Sequence, residues 1–255
     1  MSWQALEELP FVEQFVHLDE VDSTNLYARR LSRYPADGVT LIAADRQHAG
    51  RGQRGNTFFS AIDGGIWASL VAPLDDLSSH FVLNRAMSLA IFDMLVEAAP
   101  GLSAAIKWPN DIYVEDRKIC GILLETLQRE RRYLVTGFGV NVNLGAPDLP
   151  RSLRATATSL QIETGNSYSI PALLYATVSA FERYRLMPVS EAHEKYAKRL
   201  YGVGRRVRVG DIEGIFRSVG EDGRARIAGA DRVYELCSGP VRFVTPEAMS
   251  AKGRE

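Results

Sequence analysis

Apolar residues recur along this chain with two different periods, and the change from one to the other marks out most of its elements. Between His80 and Ala98, Leu83, Met87, Ala90, Ile91, Met94, Leu95 and Ala98 follow at three- and four-residue steps, which predicts a core-facing helix. Pro171 to Leu186 and Ser190 to Tyr201 carry the same spacing, and Gly202 and Gly204 then mark a stop and a linker. Val39 to Ala44 and Gly65 to Ala72 are apolar runs that predict strands, after an extended entry segment at Phe15 to Leu18. Asp22-Ser23-Thr24-Asn25 precedes Leu26 and Leu31, which share a helical side, so this polar cluster is expected to supply N-cap oxygens. Ala105 to Trp108, Ile112 to Val114, Ile119 to Leu127 and Tyr133 to Leu144, with turns at Glu115-Asp116-Arg117 and Arg129 to Arg132, predict consecutive antiparallel strands.

The run from Tyr133 to Leu144 repays a period-two reading. Leu134, Thr136, Phe138, Val140, Val142 and Leu144 fall on one face, and Tyr133, Val135, Gly137, Gly139, Asn141 and Asn143 on the other. Glycine weakens a strand unless something must approach the backbone, so this second face, extended by Gly121, suggests the floor of a ligand pocket. A bulge or barrel corner is the plainer explanation of any one of these glycines. From Arg205 to Val244 five short β-like runs separated by Gly-Asp, Asp-Gly and Gly-Pro turns predict a small barrel, and Thr245 to Glu255 reads as a frayed tail.

Composition narrows the function classes. The 255 residues carry 30 Lys+Arg against 31 Asp+Glu, a net charge of -1, and 46% hydrophobic residues, which suits a compact fold and not a basic nucleic-acid binder. Two cysteines, Cys120 and Cys237, are too few for a disulfide framework and lack zinc-cluster spacing, so a reducing, cytoplasmic setting is expected. Glu7 and Glu8 stand where a signal peptide needs basic residues, and no apolar run approaches the ~20 residues of a membrane span.

Candidate chemistry sits in three segments. The loop from Asp45 to Ser60 is long, and Gly50 to Gly55 packs three glycines and two arginines into six residues. Glycine lets backbone N–H groups turn to an anion and arginine offers a fork of donors, so the loop reads as phosphate-wrapping, or else as a mobile basic loop. It ends in neither a Walker Gly-Lys-Ser/Thr nor the helix start of a dinucleotide fingerprint. Lys107-Trp108-Pro109-Asn110-Asp111 is an extended pair followed by a turn, and Lys118 lies at the mouth of the next strand. Each alone has a bland explanation: an ordinary β-turn for Asp111, a solvated lysine for Lys118, a cap for Ser23-Thr24-Asn25.

In order, DSTN, QHAGRGQRG, KWPND, DRKICGILLE and GFGVNVN make the stretch from Val21 to Asn143 resemble the biotin protein ligases. The resemblance implies an α+β fold, a mixed, mostly antiparallel sheet packed with helices, with a catalytic domain at 1–202, an SH3-like barrel at 203–246 and a tail at 247–255. It implies a two-step reaction in which biotin and ATP give biotinyl-AMP and pyrophosphate, and a lysine of a biotin carboxyl carrier protein then takes the biotinyl group. Arg51 and Lys118 would flank carboxylate and α-phosphate, Mg²⁺ would neutralise further charge, and Asp111 would serve as base or orienting group for the acceptor lysine. Ser23, Thr24, Asn25 and Gln47 would hold the biotin head, with Gly50, Gly52, Gln53, Gly121 and Gly137 around it. Arg54, Asn56, Phe58, Asn110 and Asn141 would contact the nucleotide, and no residue is assigned as a metal ligand. Gln53, Asn56 and Phe58 stand where the family's loop often has Arg, Arg and Trp, so two cations and the larger stacking ring are missing.

Lipoate or octanoyl transfer is the competing enzyme class, disfavoured by KWPND. A biotin-sensing repressor is the non-enzyme alternative; the 21 residues before Asp22 are too few for a winged helix, so neither DNA binding nor a repressor role is expected. A homodimer is compatible with all of this, and membrane association is not expected.

Overall fold

The computed structural model describes residues 1–35, 38–74, 76, 79–239 and 241–244, so the expected tail at Thr245 to Glu255 lies outside the described residues. Seven strands form the main sheet in the order β1-β2-β3-β7-β6-β5-β4. These are β1 (Val12–Val21), β2 (Val39–Gln47), β3 (Gly65–Pro73), β4 (Ala104–Lys107), β5 (Asp111–Val114), β6 (Arg117–Gln128) and β7 (Arg132–Asn141). β1 and β2 run parallel, joined across α1 (Thr24–Arg30), and every other neighbouring pair is antiparallel. The mixed, mostly antiparallel sheet is therefore as the sequence predicts.

One face of the sheet is covered by α2 (Ser79–Ala98), which packs on α4 (Ile170–Arg185) and α5 (Val189–Ala197). Helix α2 is enclosed beyond the single predicted face: Ala86 and Leu89 are as buried as Met87, Ala90 and Ile91, because sheet and helices enclose it. Each such Leu, Ile or Met contributes ~1.5–3 kcal/mol by leaving water. Leu134, Phe138 and Val140 of β7 join this core, whereas Tyr133 and Val135 pack on the opposite face with Ala28 of α1. The period-two reading of β7 is thus correct over its length, although the strand ends at Asn141.

Two short elements had weak signals. Helix α3 (Leu160–Thr164) is one turn, capped by Ser159 Oγ, which accepts from Ile162 N–H, and closed by Gly165 at φ +74. Trp3–Glu8 forms a 3₁₀ helix whose Leu6 reaches the core.

The C-terminal sheet has the order β11-β10-β9-β8-β12, all antiparallel, from β8 (Arg206–Val209), β9 (Ile212–Val219), β10 (Ala225–Ala228), β11 (Val233–Leu236) and β12 (Arg242–Phe243). Among the described residues β11 and β12 are unpaired edges, so the expected closed barrel is not formed by pairing of these strands. Val207, Phe216, Ala225 and Ile227 continue the core of the main sheet. The indole N–H of Trp108 donates to the Gly223 carbonyl at 2.9 Å, tying the β9–β10 turn to the β4–β5 segment. Among the described residues no helix is long and apolar enough to cross a membrane.

Candidate functional site

A cleft of about 560 Å³ opens on the α1 face of the main sheet. Glycines line its floor, and a larger residue at any of them would require a neighbour to move. A Cβ on Gly137 would fall on the Asn25 carboxamide, one on Gly139 would strike the Phe58 ring, and one on Gly121 would stand 2.9 Å from Lys118 Nζ. Gly137 and Gly139 line the cleft, and β7 keeps an unbroken register with β3 and β6 there, with no bulge.

Over Gly137 lies a polar group from α1 and β2. Gln47 Oε1 accepts from the Thr24 backbone N–H at 2.8 Å, and its Nε2 donates to Ser60 Oγ at 3.1 Å. Ser69 Oγ donates to Asn25 Oδ1 at 2.6 Å and lies 2.7 Å from Thr24 Oγ1. Ser23 occupies the N-cap position of α1, but its hydroxyl makes no cap bond, and Asp22 Oδ1 instead accepts from the Ser23 N–H at 2.7 Å. The expected cap oxygens are thus not used as such, which leaves the Ser23 hydroxyl to the cleft.

Cations gather beside this group. Lys118 Nζ lies 2.6 Å from Asp111 Oδ1, both about one-third exposed. The lysine is fixed by its backbone, whose N–H donates to Thr156 O at 2.8 Å and whose carbonyl accepts from Thr158 N–H at 2.9 Å. Lys107 Nζ donates to Tyr113 OH at 2.8 Å and lies 4.3 Å from that ring's centre; burial pulls its pKa below the ordinary lysine value, opposed by Asp111. Arg51, Arg54 and Arg242 complete the positive lining.

The glycine loop is more ordered within itself than composition suggests. Arg51 and Thr57 form a β-bridge, the Gly52 N–H donates to Asn56 O at 2.7 Å, and the Phe58 N–H to Gly50 O at 2.9 Å. Arg54 at φ +57 and Gly55 at φ +78 make the tight turn. The Gly52 N–H is committed to this small hairpin, and the guanidinium groups of Arg51 and Arg54 line the cleft. Phe58 lies over Gly121 and Gly139, 5.7 Å below Lys118 Nζ.

All the sequence-derived candidates line the cleft except Gly50, Asn110 and Asn141. Gly50 packs against Ser60 and the Phe58 carbonyl behind the wall. Asn110 Nδ2 donates to Ile122 O at 3.1 Å and its Oδ1 faces Asn84 Nδ2 at 3.4 Å, while Asn141 Nδ2 donates to Thr158 O at 2.8 Å. Each amide spends one N–H on a backbone carbonyl, and neither is among the residues that line the cleft. Cys120, fully buried with its thiol pushed up by burial, takes no part. Sequence reasoning missed Ser69, Glu125 and Arg242, and gave no role to Lys107 although its segment was singled out. A lone hydroxyl in IWASLVA and a lone carboxylate in GILLETL were the available signals for the first two; Arg242 had none.

Residues 18–143 match the biotin/lipoate A/B protein ligase family. The bifunctional ligase/repressor BirA of Bacillus spizizenii is 33% identical over 214 residues, 80% of this chain and 65% of that protein, so the chain spans just under two thirds of that relative's length. The biotin–[acetyl-CoA-carboxylase] ligase of Paracoccus denitrificans is 31% identical over 226 residues, covering 83% of this chain and 93% of that protein. The solved biotin protein ligase from Aquifex aeolicus in complex with biotin and ATP has a TM-score of 0.79 at 26% identity, over 91% of this chain and 99% of that chain.

Proposed function

Since this chain belongs to the biotin/lipoate A/B protein ligase family, we propose that it activates biotin with ATP and passes the biotinyl group to a lysine of a biotin carboxyl carrier domain. The observation that carries this reading is a single cleft with two chemistries. Hydrogen-bonding side chains (Ser23, Thr24, Asn25, Gln47) stand over a glycine floor, beside the cations Arg51 and Lys118. A carboxylate that attacks a phosphate must overcome like charge, and preorganised cations in a partly dry site offset it best. Lys118, pinned through its backbone, and Arg51 are suited to flank those oxygens as biotinyl-AMP forms.

Asp111 then has the second task. An amine with an ordinary pKa of ~10.4 must lose a proton before it attacks, and a carboxylate beside the reacting centre can orient it and take that proton. Mg²⁺ belongs to this reading as the companion of the nucleotide phosphates. Among the described residues no group of three or more His, Cys, Asp or Glu is placed to cage a metal, and Asp111 is paired with Lys118. The C-terminal strands are read as an SH3-like unit following a catalytic unit that ends at Gly202.

The test is direct: incubate the chain with biotin, ATP, Mg²⁺ and a carrier domain, then weigh the carrier. A gain of one biotinyl group is expected. An unchanged carrier mass overturns the reading.

A further inference from the structure

Glu125 lies in β6 opposite Val135 of β7, and its side chain is 19% exposed. Its two carboxylate oxygens have different partners. Oε2 accepts from Asn25 Nδ2 at 2.9 Å, and Oε1 faces Arg51 Nη1 at 3.5 Å. One side chain thus touches both the polar group over Gly137 and the cationic group.

The first contact sets a polarity. Asn25 Nδ2 points at Glu125 and, at 3.5 Å, at the Leu123 carbonyl, while Oδ1 accepts from Ser69 and keeps a second lone pair for a ligand N–H. An amide turned over would aim Oδ1 at a carboxylate and a carbonyl, both acceptors. Ser69 tolerates either orientation because a hydroxyl donates or accepts; Glu125 does not. The second contact is long and Arg51 is 43% exposed, so it adds little stability. It keeps the guanidinium beside the cleft without a bidentate bond that an entering anion would have to break.

We infer that Glu125 is a positioning residue: one oxygen fixes the Asn25 amide so that Oδ1 meets a ureido N–H, and the other holds Arg51 ready for the carboxylate–phosphate end of the substrate. This rests on the biotin reading given above.

Two variants separate the contacts. Glu125→Gln keeps an acceptor for Asn25 but loses the charge facing Arg51, so biotin Kd should stay within about threefold while kcat of biotin-dependent pyrophosphate exchange falls about tenfold. Glu125→Ala loses both, and biotin Kd should also weaken about tenfold. Double-mutant cycles exclude a merely structural role: Glu125→Gln should not lower kcat further in an Arg51→Ala background, nor Glu125→Ala weaken biotin binding further in Asn25→Ala. Additive effects in either cycle, or wild-type constants in both single variants, overturn the assignment. If Glu125→Ala does not fold, the near-isosteric Glu125→Gln cycle alone decides. Failure of the wild-type chain to bind biotin at all would overturn the underlying reading, and is seen before any variant is made.

Discussion

Lys118 holds its place through its neighbours' backbones, so its side chain is free to act on a substrate. Its carbonyl and N–H are bound to Thr158 and Thr156, and its ammonium meets Asp111 at a partly exposed pair. Lys118→Ala should therefore leave the thermal melt within a few degrees and lower biotin-dependent pyrophosphate exchange by ~10²–10³, the usual loss for one preorganised charge at developing phosphate charge. Exchange within a few-fold of wild type would contradict this. Lys118 was legible only through the resemblance carried by KWPND and DRKICGILLE; taken alone it reads as a solvated lysine. An amide carries donors and an acceptor, so the bonds of Asn110 to Ile122 and of Asn141 to Thr158 could be seen only in the fold. Ser69 and Glu125 went unseen because strands β3 and β6 read as continuous apolar runs.

At the scale of elements, the start of α1 and the interior of α2 make opposite electrostatic statements. Asp22 accepts from both terminal nitrogens of Arg30, at 2.7 and 2.8 Å, and these bonds hold its pKa at about 2, below the ordinary 3.8. The folded chain takes up this proton less readily than the unfolded one, so the pair stabilises above pH ~4 and that stability is lost as the pH falls towards 2. Asp22→Asn should cost up to about 1 kcal/mol near neutrality, since Arg30 is largely exposed, and progressively less as the pH falls through 2. A difference that does not change with pH would contradict it. Among the described residues Arg85 of α2, 1% exposed, has no hydrogen-bond acceptor for its three guanidinium nitrogens, and it lies 5.4 Å from the centre of the Phe81 ring. Burial pulls its pKa down, opposed by Glu221. Replacing such a buried charge with an apolar side chain of similar length is often neutral or stabilising by ~1–4 kcal/mol. Arg85→Met should leave the melting temperature unchanged or raise it, by ~2–4 °C per kcal/mol; a clear fall would show that the guanidinium is structurally required. The periodicities behind α2, α4 and β4 to β7 were strong enough to read. Strand β1 extends well past Phe15–Leu18 because its polar positions break the pattern, and α3 is too short to show one.

For the whole molecule, the sequence marked a change of character near Gly202 but not how the two sheets meet. Among the described residues their junction includes the indole hydrogen bond from Trp108 to Gly223, an Arg205–Asp116 ion pair at 3.3 Å and a shared apolar core, none of which leaves a local pattern. It brings Arg242 to a cleft lined chiefly by the loop Arg51 to Phe58, the start of α1, the β4–β5 turn, β6 and β7. The cleft's polar group offers donors and acceptors that a ureido ring can satisfy and a dithiolane cannot, and unpaired polar groups can discriminate by ~10⁴–10⁵. ATP–pyrophosphate exchange measured with biotin, lipoate and octanoate in turn tests this most directly. Exchange should be supported by biotin at low concentration and negligibly by the other two. Comparable exchange with lipoate, or none with biotin, would contradict the assignment of this cleft.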